Sequence, residues 1–369
     1  MPDRTPEPCP GTTARRGLRL ARIALLGLFA VGLLLLPSSA EAQPFQAWFN
    51  TNGLAQHGYV RVPPNAALNP TTAITVEAWV LFASQQAGED CRSIAGKNFL
   101  QAWWLGRCNG QLRSYFRGGA SAYTGGVIPL NQWTHVAAVS DGTNVRHYIN
   151  GELVLEQPAG GSPTTSSSEM RIGSDVSWER SPAGSLDEVR LWNVVRTQDQ
   201  LRAAINEPIT SAMPGLVGVW ALDGNAQNVV GPHDGSVQGA GTGFLTFPVA
   251  ANCGSSTATS LCLLDRFIVS GKWRTGPPGA AEGTAQVADC PNEGSGLFWF
   301  FSAINWEVMV KAVNGCGLNN RYWLFSAATT NVFYRLEVTD VHGAQKIYFN
   351  YPGPPAPAVT DTNAFATCP

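Results

Sequence analysis

The sequence predicts an all-β protein, an antiparallel β-sandwich followed by a second, smaller antiparallel β-sandwich. Three observations carry this expectation. Charged residues make up only 14% of the 369 residues, against 39 Gly, 25 Pro and 12 Trp, a balance that favours strands and turns over amphipathic helices. Runs rich in Val, Ile, Tyr and Trp are broken by Asp141-Gly142 and Asn150-Gly151, dipeptides that suit hairpin turns because both residues tolerate positive φ. Late in the chain, Trp306, Val308 and Val310 alternate with Glu307, Met309 and Lys311, as a strand with one buried face requires.

Taken in order, residues 1–42 read as an export signal. Arg15, Arg16, Arg19 and Arg22 form a basic region, Ile23 to Leu36 an apolar stretch of 14 residues, and Ala40-Glu41-Ala42 a small-residue cleavage site. A membrane anchor needs about 20 apolar residues, so export through the general secretion route is expected, with Gln43 as the new N-terminus and no membrane span after cleavage. Removing this segment leaves 19 basic and 23 acidic groups. A slightly acidic chain without a Lys/Arg run has no electrostatic footprint for nucleic acid.

The densest pattern lies between residues 132 and 193. Gln132-Trp133-Thr134-His135-Val136-Ala137 opens a strand, Val145 to Ile149 and Glu152 to Glu156 flank Asn150-Gly151, and Gly184-Ser185-Leu186-Asp187-Glu188-Val189-Arg190-Leu191-Trp192-Asn193 follows. With Tyr59 to Pro63 and Ile74 to Val80 as opening strands, these motifs resemble the laminin-G-like, or concanavalin A-like, lectin/glucanase jelly rolls over residues 43–250. The resemblance implies fold more than activity, since such sandwiches host lectins, hydrolases and inert modules. One short helix is expected around Thr197 to Asn206, with Thr197 as cap and Leu201 and Ile205 on one face.

The sequence changes character near residue 250. Strand-like runs then read Arg266 to Val269, Gly296 to Phe301, Trp306 to Lys311, Arg321 to Phe325 and Tyr334 to Asp340, so 251–369 forms the second domain. It resembles an uncharacterised β module found at the C-termini of secreted bacterial proteins, which supplies a fold and a secreted context but no activity.

Export makes disulfides the default use of cysteine. Ile94-Ala95-Gly96 and Trp103-Trp104-Leu105 read as two arms of a hairpin turning around 97–102, which sets Cys91 opposite Cys108. The resemblance to the C-terminal module implies that Cys253, Cys262, Cys316 and Cys368 pair among themselves. Cys290 is then left as the odd thiol, although Cys290 and Cys316 also flank a plausible hairpin.

Chemistry is sparse. Glycoside hydrolases of this fold class carry an E-x-D-x-x-E triple on one strand, with catalytic carboxyls about 5 Å apart in the retaining case; no such triple occurs. Asp187 and Glu188 are adjacent, so on a regular strand they face opposite ways. Neither H-E-x-x-H nor G-x-S-x-G occurs, so His135 reads as a packed strand residue and His233-Asp234 as a turn. The family resemblance implies Ca²⁺ at a loop rim, which points to Asp175 and, in the 97–102 loop, Asn98 as ligands. Consecutive Trp103 and Trp104 place one indole outward, where a flat ring can stack on a sugar; Phe298-Trp299-Phe300-Phe301 obeys the same rule. The expected function is a secreted, non-catalytic recognition protein whose jelly roll binds extracellular glycan or a surface protein. A structural or adhesive spacer is the alternative, followed by a glycan-active enzyme with an unrecognised site.

Overall fold

The computed structural model describes residues 46–49, 58–84, 91–119, 121–177, 181–239, 242–245, 252–288, 291–353 and 357–369. The expected export signal, Glu179 and Cys290 lie outside the described residues.

Two sheets form the first sandwich. One runs, edge to edge, Glu152–Pro158, Asn144–Ile149, Thr134–Ser140, Ile74–Phe82, Gly184–Trp192, Gln46–Phe49 and Thr242–Leu245, with Leu216–Trp220 also paired to Gly184–Trp192. The other runs Ser236–Gln238, Tyr59–Val62, Met170–Ile172, Cys91–Gly96, Trp104–Cys108, Gln111–Tyr115 and Tyr123–Val127. Every ladder is antiparallel, and the non-sequential order is that of a jelly roll. The hairpins turn where the dipeptides are. Asn150 and Gly151 adopt φ of 51° and 74°, while Asp141 caps its own turn by accepting the Thr143 and Asn144 amides. Between the sheets lie Val60, Val76, Val80, Leu105, Val136, Leu191 and Trp220, all buried.

The helix Gln198–Ala204 begins at a capping box in which Thr197 and Gln200 bond reciprocally. Leu201 anchors it against Ala137, Val139 and Tyr148, on the face of the first sheet turned away from the core. Ile205 is buried beside it.

The second sandwich packs Ser260–Leu263, Phe267–Arg274, Phe333–Asp340 and Gln345–Asn350, with Gly283–Thr284, against Gln286–Val287, Ser295–Trp299, Val308–Asn314, Tyr322–Ala328 and Val359–Phe365. Its core is separate from that of the jelly roll and includes Phe267, Val269, Phe298, Val310, Leu324, Leu336 and Phe365. Disulfides join Cys253 to Cys262 and Cys316 to Cys368, so these four cysteines pair among themselves. In the jelly roll Cys91 and Cys108 are directly opposed in the ladder and bonded.

The two sandwiches meet through side chains of both. Trp79 stacks on Phe349 at 6.2 Å between ring centroids. The Tyr351 hydroxyl donates to the Asn150 carbonyl at 2.9 Å. Arg202 lies 3.7 Å over the Tyr351 ring, and Arg274 pairs with Glu152.

Candidate functional site

The structure brings the two expected calcium ligands together, and employs them differently. Asp175 is buried, and its carboxylate accepts the main-chain N–H groups of Asn98 (2.8 Å), Phe99 (3.2 Å) and Ser177 (2.9 Å). Asn98 sits at φ 72°, and its Oδ1 accepts from the Leu100 amide and the Ser177 hydroxyl. Gly96 beneath is small of necessity, because a Cβ there would meet Asp175 at 2.6 Å and Trp104 at 2.7 Å. The neighbouring Lys97 is buried and its ammonium donates to the Ser168 carbonyl. A site for Ca²⁺ needs six to eight free oxygens. Here both carboxylate oxygens and the amide oxygen are engaged by donors, and a buried ammonium stands in the same loop. Among the described residues no group of three His, Cys, Asp or Glu converges as metal ligands. The residues do not fit the ion; Asp175 is a clamp that ties the 97–102 turn to the strand end at 173–177.

Neither Trp103 nor Trp104 is a stacking platform, which corrects the expectation for this pair. Trp103 is fully buried in the main core and donates its indole N–H to the Leu68 carbonyl at 3.1 Å. Trp104 does point to the other side of the sheet, but it is 3% exposed. It lies among Phe99, Tyr115 and the Cys91–Cys108 disulfide and donates to Ser93 Oγ at 2.9 Å. Alternation predicted that the two rings point opposite ways and said nothing of which is outward or what covers it.

The motif histidine and acids of the jelly roll form buried polar networks. His135 Nε2 meets Glu77 Oε2 at 3.1 Å, and the Trp192 indole donates to Glu77 Oε1 at 2.8 Å. Burial pushes the Glu77 carboxyl up, but the His135 hydrogen bond, the field of Arg190 and the Trp192 donor prevail and hold it down at about 2. His147 bonds the Ser114 hydroxyl and the Gly125 carbonyl, and burial lowers its pKa to about 4. The His233 carbonyl accepts from Trp220, and Asp234 caps the Asn228 amide, so this segment is a turn. Asp187 and Glu188 do not follow strand alternation. The ladder slips between Asp187 and Arg190, and Glu188 sits at φ 49°, a bulge. Burial first, then the nearby Glu188 and Asp223, raise Asp187 well above the carboxylate range, and burial with Glu188 raises Asp223 to about 7.

The open aromatic surface lies on the second sandwich. In Ser295–Trp299, Val308–Asn314 and Tyr322–Ala328 the buried positions alternate with accessible ones. Leu297, Trp299, Met309, Lys311, Trp323 and Phe325 therefore share the face turned away from the core. Leu297 is opposite Met309, which is opposite Ala327, while Lys311 is opposite Phe325. The Trp323 and Phe325 rings are 6.4 Å apart, and the Trp323 indole N–H is oriented by Asn319 Oδ1 at 2.8 Å. Past the end of this face a tight turn closes with the Asn305 amide bonded to the Ser302 carbonyl. Buried Glu307 holds the turn, accepting the Phe300 amide and the Asn305 side chain. It presents Phe301 at 52%, Trp306 at 54% and Ile304 at 96% exposure. Of the 298–301 run, Phe298 and Phe300 are buried and Trp299 is half-buried. Trp323 and Phe325 were missed in the sequence, where Tyr322-Trp323-Leu324-Phe325 is aromatic on both parities and does not show which ring is outside.

The matched family fits this architecture. Residues 54–202 match the concanavalin A-like lectin/glucanases superfamily in its laminin G form, which covers most of the jelly roll and none of the second sandwich. Comparison with solved structures returns jelly-roll proteins. A Bacteroides ovatus protein provisionally ascribed to carbohydrate binding is 22% identical with a TM-score of 0.46, over 57% of this chain and 62% of that one. The heptameric SAP-like pentraxin of Limulus polyphemus is 16% identical with a TM-score of 0.35, over 45% and 83%. The CBM40 of Ruminococcus gnavus IT-sialidase, bound to α2,3-sialyllactose, is 17% identical with a TM-score of 0.32, over 38% and 85%. A search of curated proteins found no match. These likenesses concern the fold.

Proposed function

We propose that this chain is an exported, non-catalytic recognition protein that binds extracellular polysaccharide through the aromatic face of its second sandwich. The observation that carries the reading is the set Trp299, Trp323, Phe325 and Met309 on one accessible sheet face, with Trp306 and Phe301 exposed on the braced turn that follows Trp299. Flat rings held by the sheet match the C–H faces of pyranose units at little conformational cost. Lys311 sits beside them to orient hydroxyls, and the Asn319 bond to the Trp323 indole fixes that ring. The superfamily of the jelly roll, the disulfides and the leader-like N-terminus support a role outside the cytoplasm.

The jelly roll itself supports a second reading, as a spacer. The outer side of its first sheet carries the helix Gln198–Ala204 and the second sandwich, and Trp104 on the other sheet is covered. Retention on insoluble polysaccharides and a glycan array separate the two, using the signal-free chain and its Trp323→Ala and Trp299→Ala forms. Binding by the parent and loss in both variants supports recognition by this face. A parent that binds nothing favours the spacer, and variants that bind like the parent move recognition elsewhere.

A further inference from the structure

The seam between the sandwiches holds a half-open cavity of about 230 Å³. The jelly roll supplies one wall through Gln132, Ile149, Asn150 and Glu152, beside the Asn150-Gly151 hairpin turn. The second sandwich supplies the other through Arg274, Glu282 and Phe333, with the 278–280 loop above. At about 30 Å³ per water, the space holds roughly seven waters or one sugar ring, and it lies below the roughly 300 Å³ at which larger ligand pockets begin.

The polar groups of this cavity are fixed and balanced. Glu152 and Arg274 are 7% and 4% exposed and form an ion pair across the seam. Arg274 also donates to the Gly276 carbonyl at 2.8 Å and lies 3.8 Å over the Phe333 ring. Glu282 is held by the Arg335 guanidinium at 3.1 Å. Each carboxylate faces a guanidinium, so the walls carry no excess charge to select a free ion. A carboxylate has about four acceptor positions, and these ion pairs occupy only part of them. Planar carboxylate, amide and guanidinium groups bond two adjacent hydroxyls at once, while Val127, Pro129 and Ile149 offer an apolar side for ring C–H groups.

We propose that the interdomain cavity is a second saccharide site, taking a single sugar ring between the two sandwiches. It rests on the glycan reading for its ligand class, and on its own residues for its place. Because both sandwiches contribute walls, an occupant stabilises their junction as well as itself.

The test uses the signal-free two-domain chain and methyl glycosides of glucose, galactose, mannose, N-acetylglucosamine and arabinose as probes. Saturation-transfer NMR reads binding, and titration gives Kd. At least one glycoside is expected to bind. Ala280→Trp fills the space from a surface loop without touching the ion pairs and should abolish the signal. Glu282→Gln should weaken Kd roughly tenfold, the loss of one charged hydrogen bond, and keeps the test decisive if the Trp variant folds poorly. The titrations are run in the Trp323→Ala background, so that stacking on the aromatic face does not mask the cavity. Polysaccharide retention without glycoside binding overturns the cavity site and spares the aromatic face. Glycoside binding that survives both cavity variants also overturns the site. Failure of both polysaccharide and glycosides overturns the glycan reading as a whole.

Discussion

Four indoles of the jelly roll and three of the second sandwich are used in opposite ways. In the jelly roll Trp103, Trp104, Trp192 and Trp220 are at most 3% exposed, and each indole N–H is bonded inside, to Leu68, Ser93, Glu77 and His233 respectively. In the second sandwich Trp299, Trp306 and Trp323 stay accessible on one side of the domain. A buried Trp is a packing element whose N–H must be matched, whereas an accessible Trp on a rigid sheet is surface for a partner. The comparison teaches that superfamily motifs mark the scaffold of the jelly roll, while accessible aromatic side chains gather on the domain that the family match does not cover.

The largest effect that would break this comparison is on stability. Trp220→Ala should destabilise the jelly roll by about 3–5 kcal/mol, read as a lowered denaturant midpoint; a loss as small as that of Trp306→Ala would mean the two classes of Trp do not differ. Disulfides come next. Replacing Cys316 and Cys368 by Ser opens a loop of 52 residues, for which the chain-entropy model gives about 4 kcal/mol. The Cys91–Cys108 loop of 17 residues corresponds to about 3 kcal/mol in the same model. Reversing that order in urea melts would show that strain or residual structure dominates.

Asp175→Ala removes the acceptor of three amides and should lower stability by at least about 2 kcal/mol, since buried donors left unpaired are penalised. Thermal scans in calcium and in EDTA should superimpose for both forms; a calcium-dependent rise that Asp175→Ala abolishes would restore the metal site.

A smaller effect depends on pH. Desolvation of the carboxyl, then Glu188, raises Asp223 to about 7 although the residue as a whole is exposed, so the native state holds a proton that the unfolded chain releases near its ordinary value. This contribution is present below the unfolded pKa and is lost as pH rises towards 7. Asp223→Asn should therefore match the parent at about pH 4 and be the more stable form at about pH 8. Equal stability at both would mean that Asp223 is solvated. Smallest in stability is Trp306→Ala, which should stay within about 0.5 kcal/mol of the parent, while retention on a bound polysaccharide falls.

Much of the fold was legible because its signals are local. Asp141-Gly142 and Asn150-Gly151 fixed two hairpins through positive φ, Thr197 and Gln200 marked the helix start, and mirror symmetry about 97–102 placed Cys91 against Cys108. Period-two alternation also set Trp103 and Trp104 on opposite sides of their strand. The sequence by itself thus determined strands, turns and which neighbours oppose each other. Only the tertiary structure decided what waits outside: Phe99, Tyr115 and a disulfide over Trp104, three amides around Asp175, a bulge that brings Asp187 and Glu188 into one neighbourhood, and a partly open face at Trp323. The physical reason is that alternation is a property of one strand, whereas exposure and ligand-free oxygens depend on residues distant in sequence that pack against it.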